Sequence, residues 1–169
     1  MKNAQFLMLA SMLALSFSVS AQQTAATASA TPAQPAAARQ QLTPEQQAQV
    51  KRQDEEMGRS ALQVAQLVDQ NKTAEIWDGA SAVAKGVVTR EEFVRQIAAD
   101  RQKLGAPATR QQVAVTRAAY AAGGQIPAGN YINVVYATKF ANAPDPVREL
   151  VSFHLDADKT WRVSGYSLR

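Results

Sequence analysis

The chain has 169 residues, 18 Lys and Arg against 14 Asp and Glu, one histidine and no cysteine. That length suits a single domain of ordinary size. The missing cysteines exclude disulfide scaffolds, thiolate metal sites, cysteine nucleophiles and a lipid-modified cysteine near the N-terminus, and a lone histidine, His154, excludes a histidine-rich metal cage.

Met1-Lys2-Asn3 is short and positive, and Ala4 to Val19 is apolar and uncharged. Val19-Ser20-Ala21 closes the run with small residues where a signal peptidase reads. The pattern predicts a secretory signal over residues 1–21 that is removed. A spanning helix needs about 20 apolar residues, whereas Gln5, Ser11 and Ser16 interrupt this run. The expected compartment is the periplasm of a Gram-negative cell, or the medium beyond it, with no integral membrane segment after cleavage. Residues 22–42 hold eight Ala, five Gln and three Thr. Such a composition buries too little apolar area to offset the entropy of ordering, so a disordered linker is expected. With Lys2 in the signal and Arg39 in the linker, the segment from Thr43 onward carries 16 basic and 14 acidic residues without a basic stripe. No nucleic-acid partner is expected.

The folded part, residues 43–169, reads as helices and then strands. Thr43-Pro44-Glu45-Gln46 is a capping box with proline at the first helical position. Val50, Met57, Ala61, Val64, Ala65 and Val68 then fall on one helical stripe. Gly58 is expected to bend or split that helix. Asp69 to Lys72 is a turn, and a second helix is expected over Thr73–Lys85 with Trp77, Ala80, Ser81 and Ala84 on one face. Thr89 and Glu92 form another capping box, Val88 and Phe93 a hydrophobic staple, and Gly105 with Pro107 ends the third helix. After Pro107 the apolar period becomes alternating. It predicts strands over Gln111–Tyr120, Asn130–Phe140, Val147–Asp156 and Thr160–Leu168. In the last strand Trp161, Val163 and Gly165 share one face, and Arg162, Ser164 and Tyr166 the other. The fold class is α+β: N-terminal helices packed on a curved, cone-like, four-stranded antiparallel sheet.

Trp77 to Arg169 resembles the bacterial domain-of-unknown-function family 4019. The resemblance is carried by Phe93, Arg101-x-x-Leu104-Gly105, Arg110, Tyr120, Pro127-x-Gly129-x-Tyr131, Thr138-x-Phe140, Glu149 and Trp161-Arg162-Val163-Ser164-Gly165-Tyr166. The last turn departs from the pattern: similar sequences often carry Asp-Gly where this chain has Asp158-Lys159. The resemblance implies no activity. The element order is also similar to the cystatin and nuclear-transport-factor-2-like topology, whose cones host enzymes and binding modules alike, so the topology does not settle function.

Glu149 shares the strand face of Val151, Phe153 and Leu155, which points a carboxylate toward the core rim, where it needs a partner. Arg101, Arg110 and Arg162 are the available cations. The set reads as a structural ion pair pinning helix to sheet, or else as an anion site. His154 and Asp156 make an acid–base pair only if they touch, and residues two apart on a strand share a face without bonding by default. A rim or solvent-facing histidine is the expectation. Asp145, Asp156 and Asp158 lack the spacing of a calcium loop and read as turn chemistry. Trp77 and Tyr136 are either core or the lining of a cavity. No catalytic residue, cofactor or metal is assigned. The sequence therefore points to a non-enzymatic binding or interaction domain that engages another envelope protein or itself as a homodimer. The alternative is a cone-cavity module that binds or converts a small apolar ligand, with Trp77, Tyr136 and His154 near it.

Overall fold

The computed structural model describes residues 42–169. The expected signal peptide and the linker up to Gln41 lie outside the described residues. The elements run α1 (Pro44–Asp69), α2 (Thr73–Asp78), α3 (Ala82–Val87), α4 (Arg90–Leu104), β1 (Pro107–Tyr120), β2 (Gly129–Phe140), β3 (Val147–Leu155) and β4 (Trp161–Leu168). The fold is α+β, with an antiparallel sheet in the order β1-β2-β3-β4 that does not close.

Both halves of the first capping box form. Thr43 Oγ1 accepts from the Gln46 amide at 3.3 Å, and Gln46 Oε1 accepts from the Thr43 amide at 2.9 Å. The helix then runs unbroken through Gly58, against the expected bend. The glycine serves contact: Tyr136 donates its hydroxyl proton to the Gly58 carbonyl at 2.9 Å, and a β-carbon there would strike the Gln112 side chain. The expected second helix is two short ones. Its chain breaks because the Ser81 amide donates to the Val163 carbonyl at the edge of β4, 2.8 Å away. The Ser81 hydroxyl then accepts from the Val83 amide at 3.1 Å and caps α3. At α4 only half of the expected box forms: Thr89 accepts from the Glu92 amide, while the Glu92 carboxylate turns to Arg95.

β1 begins at Pro107, before its expected start, since proline is tolerated at the first residue of an edge strand. Three register shifts interrupt the ladders, at Pro107/Thr109 and Gln112/Ala114 in β1 and at Ser152/Phe153 opposite β4. The core lies between the helices and one sheet face. Ala61 and Val68 of α1, Trp77 of α2 and Phe93 and Ile97 of α4 meet Ile132, Val134, Val151 and Phe153. No described helix is long and apolar enough to cross a membrane.

Candidate functional site

Two polar clusters stand at different ends of the sheet. The first is buried. Glu149, on the core face of β3, has no exposed surface, and four donors reach its two oxygens. Arg110 Nε and the Thr138 hydroxyl donate to Oε2, both at 2.6 Å. The Tyr166 hydroxyl at 2.6 Å and Arg110 Nη2 at 3.2 Å donate to Oε1. The same guanidinium reaches Asp69, at the last turn of α1, with 2.9 and 3.1 Å bonds. Arg101 of α4 donates to Asp69 at 3.1 Å and lies 4.5 Å from the centre of the Phe140 ring. Its Nε and Nη1 are buried without a hydrogen-bond partner among the described residues, a cost partly offset by the cation–π contact.

Two arginines thus face two carboxylates, and the network is neutral. It ties α1, α4 and all four strands together. A buried charge is tolerated only when it is paired and its remaining hydrogen-bonding capacity is filled, which is the state of Glu149. Burial alone would lower the Arg110 pKa, but the bonds and charges of Asp69 and Glu149 outweigh it and hold the guanidinium above its ordinary value. Burial, and then the neighbouring Glu149, raise Tyr166; the same two causes push Tyr136 up to about 12. Every good acceptor site of the Glu149 carboxylate is spent inside the protein, so this part of the network holds the fold; the unpartnered donors beside it are Nε and Nη1 of Arg101.

Of the three cations named for Glu149, only Arg110 binds it directly. Arg101 acts through Asp69. Arg162 is at the far end of the sheet, because its Cα partner is His154 and its side chain leaves from the opposite face. Sequence reasoning missed Asp69, Thr138 and Tyr166. Thr138 carried a signal, since it sits between Tyr136 and Phe140 at core parity. Tyr166 carried none: the register shift at Ser152/Phe153 inserts one extra residue in β4, so Tyr166 pairs with Val151 and joins Val163 on the core face.

The second cluster gathers Ser81, His154, Asp156, Asp158 and Arg162. Of the two expected settings for His154, rim or solvent-facing, the second does not hold: it is 7% exposed, at the edge of a surface cleft. Tyr131 lies edge-on at 5.0 Å and Gly129 abuts the ring. His154 also touches Asp156, with Nδ1 2.7 Å from Oδ1. β3 ends at Leu155, which frees Asp156 to curl back. Ser81 donates to the same Oδ1 at 2.8 Å, and its hydroxyl is 3.5 Å from His154 Nδ1. These three residue types make a hydrolytic triad only when serine and acid sit at opposite ring nitrogens. Here both crowd Nδ1. Nε2 faces Gly129 and has no partner among the described residues, so nothing draws the proton from Ser81. Burial tends to raise Asp156, but bonds from His154, Ser81 and Arg162 bring it below its ordinary pKa. The two-pronged Arg162 contact, at 2.9 and 2.7 Å, holds Asp158 well below the carboxylate range. Among the described residues no group of three or more His, Cys, Asp or Glu is placed to hold a metal ion.

Trp77, Tyr136 and His154 do not meet around one cavity. Trp77 is core, tilted against Phe93 at 5.5 Å. Tyr136 edges a surface cleft with Glu55 and Arg59, and His154 edges another with Lys85 and Asp158. A further apolar cleft of about 330 Å³ lies beside Trp161, Ile132 and Leu155.

These features define an α+β domain of helices on an open antiparallel meander, locked by a buried ionic network. The chain belongs to the family described as "protein of unknown function (DUF4019)", whose model matches residues 60–166 and so takes in the second half of α1 as well. No curated protein and no solved structure matches the chain significantly.

Proposed function

We propose that this protein is an exported, non-catalytic interaction domain that works in the bacterial periplasm by binding another envelope protein. One contrast carries the reading. The carboxylates of the two polar clusters are paired with cations within the protein, whereas three exposed apolar side chains, Val87, Tyr120 and Ile126, line one trench beside the sheet face away from the core. Exposed apolar surface that is contiguous marks contact with something. The expected signal over residues 1–21 supports export.

Formaldehyde cross-linking in intact cells, followed by N-terminal sequencing of the trapped species, tests the reading. A discrete cross-linked protein carrying a chain that begins at Gln22 is expected. A chain that keeps residues 1–21 contradicts the export, and a chain that stays uncross-linked while it turns over a small molecule contradicts the binding role.

A further inference from the structure

The trench draws its walls and floor from α3, the β1–β2 connection and all four strands. One wall is α3, with Val83 and Val87; the other is the β1–β2 connection, with Ile126 and Pro127, together with Tyr120. The floor crosses β2, β3 and β4 at Asn133, Ser152 and Gly165, which are register partners on one face. Three adjacent strands make a floor about 10 Å wide, and the trench holds about 370 Å³.

Three properties narrow what fits. First, none of the lining residues is charged, so a charged occupant would lose hydration with no counter-ion in reach. Second, three of the six large apolar side chains exposed among the described residues line this one trench, with Val87 71% exposed. Third, the floor carries neutral hydrogen-bonding groups that are not fully used. Ser152 donates to Asn133 Oδ1 at 2.7 Å, which leaves the Asn133 amide hydrogens without an acceptor among the described residues. At the β4 side the Ser164 hydroxyl is buried with no partner among them. Apolar walls with spare neutral donors and acceptors between them suit a chain of peptide groups with small apolar side chains. A purely aliphatic ligand would leave those floor groups unmatched.

We propose that this trench binds an extended, uncharged, apolar peptide segment of a partner protein. The proposal rests on the binding-domain reading above and gives it a surface and a chemistry. Tyr120 and Tyr131, edge-on at 5.4 Å, supply the aromatic wall that such segments use.

A random dodecapeptide display library panned on the exported chain is the probe, with Val87→Asp and Gly165→Val as controls. Val87→Asp puts a charge on the wall at a solvent-exposed position. A β-carbon at Gly165 meets only Ser152 Cβ at 3.9 Å, an ordinary contact, so Gly165→Val fills the floor without backbone strain. Enriched peptides should lack charge over their central residues and be rich in proline and aliphatic side chains. They should bind both variants at least about tenfold more weakly, a change of about 1.4 kcal/mol, while the urea midpoint of Val87→Asp stays that of the parent. No enrichment, a charged consensus, or equal binding to Val87→Asp overturns the proposal, as does saturable binding of an apolar dye with no peptide competing. If the peptides fail while the in-cell cross-linked partner persists, the trench is wrong and the binding-domain reading stands. If both fail, the reading falls with it.

Discussion

Glu149 shows how a single side chain is made tolerable in a core. It has no exposed surface and is satisfied by Arg110, Thr138 and Tyr166. Taking away one partner leaves the other charge buried, which typically costs about 3–5 kcal/mol. Arg110→Ala and Glu149→Gln should each lower urea stability by that order. The double variant should lose clearly less than the sum, because both single changes remove the same contact. Equal and additive losses would contradict the account. The tyrosines set an alkaline limit. Tyr136, raised from 10.0 to about 12, and Tyr166, also raised, keep their protons in the fold after the unfolded chain has lost them. Their contribution is therefore complete below pH 10 and is lost as pH climbs toward 12. The urea midpoint should fall between pH 10 and pH 12, with phenolate absorbance at 295 nm lagging until unfolding. An unchanged midpoint would contradict this. That Glu149 needed a cation was legible, because a carboxylate stood at apolar parity; which of Arg101, Arg110 and Arg162 supplies it was not, because that depends on register across strands. Asp69 was not, since a turn aspartate looks the same whether it faces water or a buried guanidinium.

At the scale of elements, helices and strands were readable because capping residues and apolar periods are local. What failed was decided by contacts between elements. The split of α2 from α3 depends on the Ser81 amide finding the Val163 carbonyl on a strand about 80 residues later. The face of Tyr166 depends on a shift that no local pattern announces. The last turn carries backbone strain. Lys159 sits at φ 65°, left-handed, with its amide donating to the Asp156 carbonyl at 2.9 Å. A residue with a β-carbon is disfavoured there by roughly 1–2 kcal/mol, part of which a glycine gives back through its freer unfolded chain. Lys159→Gly should stabilise by about 0.5–1 kcal/mol, read as a higher thermal midpoint; a lower one would contradict the turn. Gly129 is the opposite case. It has φ 143°, and a β-carbon would run into the His154 ring. Gly129→Ala should cost about 1–3 kcal/mol, and a neutral effect would mean that His154 is not held as described.

Over the whole of the described residues, the ionic network and the largest group of exposed apolar side chains lie on different sheet faces. One sheet face carries the core and, at one end, the ionic network; the other carries an uncharged trench under α3. Neither the trench nor the closeness of Ser81 to His154 was legible in the sequence, because both arise where α3 crosses strands far from it in the chain. Substitutions at the two surfaces should therefore separate stability from function. Changes at Arg110 or Glu149 weaken the fold, whereas Val87→Asp, on a side chain 71% exposed, should change stability by no more than about 0.5 kcal/mol while it removes binding. The most direct measurement is native mass spectrometry of the protein released gently from the cell envelope, parent beside Val87→Asp. The parent should give a chain starting at Gln22 in complex with a protein partner, and the variant an uncomplexed chain. A bare monomer carrying the same small-molecule mass in both would contradict it and move the function to a ligand cleft.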